Sequence, residues 1–205
     1  MGKLRMTLVG VVSALMLTLS AGVALAAVLS GTDGHDTLVG GSESDLIYGK
    51  GGNDTLSGQR GSDVVYGGPG NDFLADLGGD DVLLGGTGDD ILYGDDVLQG
   101  QGGKGNDKLF GGKGSDALGG GEGKDILYGQ QGPDGLIADI GPDIAIGGSG
   151  NDAISSEVNG SSRDKVFCGS GTDRVSADRS DFVASDCERV HRYSAPPLAF
   201  IHPSA

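Results

Sequence analysis

The sequence has no tryptophan, and aromatic residues make up only 5% of its 205 positions. A core built on large rings is therefore excluded, since such rings supply the largest buried areas per residue. Cationic residues are also scarce: 14 Lys and Arg stand against 29 Asp and Glu, for a net charge of −15. Nucleic acid and anionic membrane surfaces recruit clustered cations, so neither is expected as a partner. Histidine is limited to His35, His191 and His202, which are unclustered, and a zinc centre built on His or Cys is excluded with them. The motifs G-x-S-x-G, G-x-x-x-x-G-K-[ST], H-E-x-x-H and an EF-hand loop ending in Glu are all missing. No catalytic residue is assigned, and the chain is not expected to be an enzyme. What it has in quantity is glycine, 42 residues without the every-third spacing of collagen. Glycine opposes helix and leaves little side chain to pack, which excludes a helical bundle.

Residues 1–26 stand apart. Lys3 and Arg5 precede an apolar run from Met6 to about Leu19, followed by Ala24-Leu25-Ala26. A basic start, an apolar stretch and a small-x-small site form a secretory signal peptide. The mature chain then begins near Ala27 and is extracellular, with no membrane partner after cleavage. The alternative is an uncleaved anchor, because the 21 residues from Thr7 to Ala27 carry no charge and suffice to span a bilayer.

The rest of the chain is periodic. Asp36, Asp45, Asp54, Asp63, Asp72, Asp81 and Asp90 are nine residues apart. After a step of 17, Asp107, Asp116, Asp125, Asp134, Asp143 and Asp152 resume the period. An apolar residue lies two positions after each, from Leu38 and Ile47 through Leu92, then from Leu109 to Ile154. A glycine lies two positions before the aspartate in twelve of the thirteen units, Glu43 being the exception. Each unit reads as a six-residue glycine loop and a three-residue strand whose central residue points inward. Two units, 18 residues, return the chain above itself, so alternate strands stack in two parallel sheets around the apolar residues. Such a coil has little core, and its stacked carboxylates repel one another unless a cation lies between them. Carboxylates and backbone carbonyls are hard oxygen donors, which suit Ca²⁺.

The pattern G-G-x-G-x-D-x-U-x, with U a large aliphatic residue, resembles the calcium-binding nonapeptide of the repeat-in-toxin (RTX), or hemolysin-type, proteins. The resemblance covers residues 31–155 in regular form and continues loosely to 184. It implies an all-β fold, a right-handed parallel β-roll, with several Ca²⁺ per chain. It also implies that each Ca²⁺ lies between stacked loops, held by aspartates two units apart and by loop carbonyls. The pairs are Asp36/Asp54, Asp45/Asp63, Asp54/Asp72, Asp63/Asp81 and Asp72/Asp90, then Asp107/Asp125, Asp116/Asp134, Asp125/Asp143 and Asp134/Asp152. The alternative for any single aspartate is a solvated turn carboxylate. That alternative weighs more in three departures from the pattern: Glu43 in "GSESD", "DLGGDD" at 76–81 and "ADIGPD" at 138–143. The fifth loop position, which holds Pro133 and Pro142, is expected to need no particular side chain.

Two interruptions remain. Between Asp90 and Asp107, Asp96-Val97-Leu98-Gln99 resembles the end of a unit with a shortened loop, which preserves the half-turn count. Between Asp152 and Asp164 the step grows to 12, read as a bulged loop. The organisation expected is a signal at 1–26, a regular roll at 27–155, degenerate repeats and a cap at 156–192, and a tail at 193–205. Cys168 and Cys187 are 19 residues apart, about one coil turn, which predicts a disulfide in the cap of an exported protein; two free thiols are the alternative. In the family such rolls often accompany a protease, lipase or toxin domain, for which this chain has no room after its signal. The function expected is that of a secreted calcium-binding repeat protein that folds on its ions. The alternative is an adhesion module with a protein or cell-wall partner, using an outer stripe of Ile91/Tyr93, Lys108/Phe110, Ile126/Tyr128 and Ile144/Ile146. Against that stripe stands the plain preference of such residues for strands.

Overall fold

The chain winds into two parallel sheets that face each other across two stacked rows of aliphatic side chains, one from each sheet. The computed structural model describes residues 26–94, 104–156 and 162–193, and no helix occurs among them. The first sheet holds β1 (Val28–Ser30), β3 (Leu46–Tyr48), β5 (Val64–Pro69), β7 (Val82–Thr87) and β10 (Lys108–Lys113). It continues with β13 (Ile126–Gln131), β15 (Ile144–Ser149), β17 (Lys165–Ser170) and β19 (Phe182–Val183). The second holds β2 (Thr37–Val39), β4 (Thr55–Ser57), β6 (Phe73–Ala75), β8 (Ile91–Tyr93) and β11 (Ala117–Gly119). It continues with β14 (Gly135–Ile137), β16 (Ala153–Ser156), β18 (Arg174–Asp178) and β20 (Arg189–Tyr193). A short pair, β9 (Lys104–Gly105) and β12 (Glu122–Gly123), stiffens two neighbouring loops.

The nine-residue period produces this arrangement directly. From β2 to β18 the inward residue of each repeat strand is buried and stacks on its counterpart one coil away, as in Leu56↔Leu74 and Val65↔Leu83. Leu74, Leu83, Leu92, Leu109 and Leu127 are fully buried, while their strand neighbours face outward. Glycine lets the loops turn: in "GGPG" at 67–70, Gly68 (φ 116°) and Gly70 (φ 143°) adopt a left-handed backbone that side chains resist. Lys50, Gln59 and Gln130 hold the same left-handed conformation at the second loop position. Glu43, where other loops place the second of these glycines, has no positive φ, so that exception fits without strain.

Two expectations are corrected. Strands of the first sheet from β5 to β17 are six residues long, not three, because they continue into the loop and pair again, as in Gly68↔Gly86. The segment between Asp90 and Asp107 does not act as a half turn. β10 stacks on β7 and β11 on β8, so Asp107 belongs to the opposite sheet from Asp90. The physical reason lies in the flanks. Gly94 meets the Asp107 carboxylate as a first loop glycine does, and Gly105 keeps the fourth position, so the extra residues enter between them. Asp96-Val97-Leu98-Gln99 itself lies outside the described residues, as do residues 1–25, 157–161 and 194–205, on which the expected signal, bulged loop and tail fall.

With that shift the expected outer stripe is redrawn. Ile91 and Tyr93 belong to the second sheet, whereas the first sheet aligns Tyr48, Tyr66, Leu84, Phe110, Tyr128 and Ile146 in one outward row. At the C-terminal end, Cys168 in β17 is bonded to Cys187, between β19 and β20, with Cα atoms 5.2 Å apart. Arg192 closes the last coil by donating from Nη1 to the carbonyl oxygens of Asp178 and Asp181, each at 2.9 Å.

Candidate metal centre

Each repeat aspartate sits at the point where the loop enters the strand, and stacking fixes both its main chain and its side chain. Asp54 shows the rule: its carbonyl oxygen accepts the N–H of Phe73, and its N–H donates to Oδ1 of Asp72 at 2.8 Å. The same bond links Asp63 to Asp81 at 2.7 Å, Asp72 to Asp90 at 2.8 Å and Asp134 to Asp152 at 2.9 Å. It crosses the long interruption, joining Asp81 to Asp107 and Asp90 to Asp116, both at 2.8 Å. A ladder of buried carboxylates thus runs up each side of the roll.

One oxygen of each carboxylate is used in this way; the other has a different fate. Oδ2 of Asp54, Asp72, Asp90, Asp116, Asp134, Asp143 and Asp152 is buried without a hydrogen-bond partner. Buried polar atoms are normally satisfied, so a repeated exception points to a missing partner of positive charge. In the regular loops the space facing these atoms is kept open by the first glycine, a position that Ala138 takes in the loop of Asp143. A β-carbon at Gly67 would lie 2.6 Å from the carbonyl oxygen of Gly85 and against Oδ2 of Asp72. At Gly129 the neighbours would be the Gly147 carbonyl oxygen, 2.7 Å away, and Oδ2 of Asp134. At these two glycines a carboxylate oxygen and a backbone carbonyl oxygen therefore converge on a space that a β-carbon would fill.

Electrostatics agree with the geometry. Burial pushes the Asp90 and Asp134 carboxyls up to about 7 and that of Asp143 to about 8, with the stacked neighbouring aspartates adding to the rise. Asp54, Asp63, Asp72, Asp116 and Asp152 are raised for the same first reason. Ionised carboxylates in such a row need protons or cations beside them. The all-oxygen donor set fits Ca²⁺, which accepts carboxylates and carbonyls in flexible number.

The model of the RTX calcium-binding nonapeptide repeat matches four stretches, residues 30–65, 66–97, 101–136 and 128–157, together more than half of the chain. The chain belongs to the RTX calcium-binding repeat family. No curated protein gives a match to it. As an RTX repeat protein it is a calcium-binding protein built as a β-roll.

Within this RTX roll, all nine aspartate pairs read from the sequence are brought together. Their second oxygens are not alike. Asp36 turns Oδ2 to the N–H of Thr32 at 2.5 Å, and Asp45 to the N–H of Gly41 at 2.6 Å. The first two loops thus satisfy themselves, and the open oxygens begin at Asp54.

Several residues were missed by counting nines. Asp164 and Asp173 extend the ladders, accepting the N–H of Asp143 and Asp152 across 21 residues. Asp181 ends one ladder, with Oδ1 taking the N–H of Asp164 and Oδ2 taking Ser156 Oγ and the N–H of Asp178. The signal was present as D-x-V at 164–166, 173–175 and 181–183, but the step of 12 hid its phase. The fifth loop position also needs correction, because it carries a second, exposed ladder of opposite direction. Asn53 Oδ1 accepts the N–H of Asn71, Asn71 Oδ1 that of Asp89, and Asp89 Oδ1 that of Ser115. Proline has no N–H to give, so Pro133 and Pro142 take no part as donors.

Proposed function

We propose that this chain is an extracellular calcium-binding scaffold that is exported by its N-terminal segment and folds around several Ca²⁺ ions. The observation that carries the proposal is the row of buried Oδ2 atoms facing glycine-lined space, repeated coil after coil. From Asp54 upward, stacked aspartates and the carbonyls of first-position glycines would hold the ions. Bound Ca²⁺ would offset the repulsion between carboxylates and fix loops that have little side chain to hold them. No catalytic role belongs to this reading, since the repeat carboxylates serve the ladders and the sequence carries none of the nucleophile or metalloprotease motifs sought. Calorimetry on the exported chain tests it: several Ca²⁺ per molecule and an N-terminus near Ala27 are expected. Binding of one ion or none, or retention of the first 26 residues in a membrane fraction, would overturn it.

A second reading, an adhesion or cell-surface interaction module, is favoured by the outer row of the first sheet. Tyr48 and Tyr66 stack with ring centroids 5.0 Å apart, and Phe110 and Tyr128 with centroids 4.9 Å apart. Extended apolar rows of this kind can serve as contact surfaces. Light scattering with and without Ca²⁺ separates the readings, because only the second requires assembly or capture through this face.

A further inference from the structure

One loop departs from the pattern in a way that adds a charge to the ladder. In "DLGGDD" at 76–81, aspartate takes the first position, where the repeat calls for glycine. A side chain there would be expected to block the loop. Instead Asp76 folds inward and is fully buried. Its main chain keeps the coil, donating its N–H to the carbonyl oxygen of Tyr93 at 3.1 Å. Its Oδ1 accepts the N–H of Leu77 at 2.9 Å, while Oδ2 meets no N–H or hydroxyl donor and faces the Asp63 carboxyl within hydrogen-bonding reach.

That oxygen is aimed at a defined place. A β-carbon at Gly58, the first glycine of the coil below, would collide with Oδ2 of both Asp63 and Asp76. In the neighbouring coil the equivalent space, at Gly67, is bounded by Oδ2 of Asp72 and the neutral carbonyl oxygen of Gly85. Asp76 thus puts a carboxylate oxygen where other coils place a carbonyl. Asp63, Asp76 and Asp81 each bring one oxygen into a group whose members lie within 4.8 Å of one another, all three side chains being buried. Among the described residues this is the one place where three acidic groups meet in that way. The loop "ADIGPD", which also lacks its two leading glycines, does not reproduce it: its first position is Ala138, and the neighbouring Asp139 lies outside any such group.

We propose that Asp76 is a third carboxylate ligand, which makes the site between the loops of β5 and β7 the tightest cation site of the roll and the first to fill. The proposal rests on the calcium reading above and adds to it a rank among sites and a preference for high charge. Two carboxylates and neutral carbonyls leave a divalent ion balanced. A third carboxylate holds Ca²⁺ more strongly and favours a trivalent ion still more, because attraction grows with the product of charges. Ligand charge count, together with site rigidity, sets how calcium sites differ in affinity.

The test is calorimetric titration of the full exported chain with Ca²⁺ and, separately, Tb³⁺, beside Asp76→Asn, Asp76→Gly and Asp139→Asn. Asp76→Gly restores the repeat consensus and Asp76→Asn keeps the shape, so both fold in saturating Ca²⁺, which circular dichroism verifies. The wild-type isotherm should begin with a tight step of one ion. In both Asp76 variants that step should weaken roughly ten- to a hundredfold and merge with the later ones, with the total number of ions unchanged. Its preference for Tb³⁺ over Ca²⁺ should fall, while Asp139→Asn keeps the wild-type step. Unchanged or tighter first binding in the Asp76 variants would overturn the proposal and leave the calcium reading intact. A wild-type chain that binds no Ca²⁺ would remove both.

Discussion

Asp63 and Asp89 carry the same charge and both belong to hydrogen-bonded ladders, yet they are not equivalent. Asp63 is buried, accepts the N–H of Asp45 through Oδ1 at 2.6 Å, and has Oδ2 turned toward the interior of the loop. Asp89 is exposed and uses Oδ1 to take the N–H of Ser115. Asparagine preserves an Oδ1 acceptor at either position, so neither substitution breaks a ladder. Asp63→Asn should nevertheless lose Ca²⁺ affinity at up to two sites, those toward Asp45 and toward Asp81, because a charged ligand becomes neutral. Asp89→Asn should leave the number of bound ions unchanged. Calorimetry on the two variants decides, and equal losses would mean diffuse screening by charge in place of ligation. At this scale the sequence was informative, since a period of nine names the ladder aspartates from Asp36 to Asp152, though not Asp164, Asp173 and Asp181 beyond them. Asp76 was hidden because it stands where the pattern asks for glycine, and only the fold shows its carboxylate turned inward.

At the level of strands and coils, the interruptions set the limit of legibility. The step of 17 from Asp90 to Asp107 is close to two units of nine, so counting alone stacks one on the other. The decisive constraint is spatial: Leu109 must lie above Leu83 and Leu118 above Leu92. Residue spacing does not convey that an insertion has entered a loop. The six-residue strands of the first sheet were equally hidden, because glycine pairs such as Gly68↔Gly86 look like loop in a sequence. The disulfide was readable, since 19 residues span about one coil and bring Cys168 to Cys187.

The stacked ladders also predict a pH dependence. Burial raises Asp90 and Asp134 to about 7, Asp143 to about 8 and Asp76 to about 9, against about 3.9 for a free aspartate. Between these limits the folded, metal-free chain binds more protons than the unfolded one. Their stabilising effect is therefore complete below about pH 4 and is lost as pH rises through about 7–9. In ion-depleted buffer, the β signal in circular dichroism should weaken from pH 4 to pH 8. Saturating Ca²⁺ should hold it constant at the upper end, because metal and protons compete for the same oxygens. A metal-free signal that strengthens with pH would contradict the assignment.

Across the whole molecule, one aliphatic residue in nine reaches the core and the loops between are largely glycine. Repeat folds of this kind hold together through contacts between neighbouring coils, so events in one loop are felt in the next. Fastenings at the C-terminal end, the Cys168–Cys187 bridge and the Arg192 contacts, close the last coils without metal. The central coils have no such fastening among the described residues, and on the function proposed above they depend on the ions between their aspartates. The most direct measurement is a Ca²⁺ titration of the chain at neutral pH followed by far-ultraviolet circular dichroism. A largely disordered spectrum without Ca²⁺ that converts cooperatively to a β spectrum as the ion is added is the expected result. A β spectrum that is already complete without Ca²⁺, and unchanged by chelation, would contradict the account.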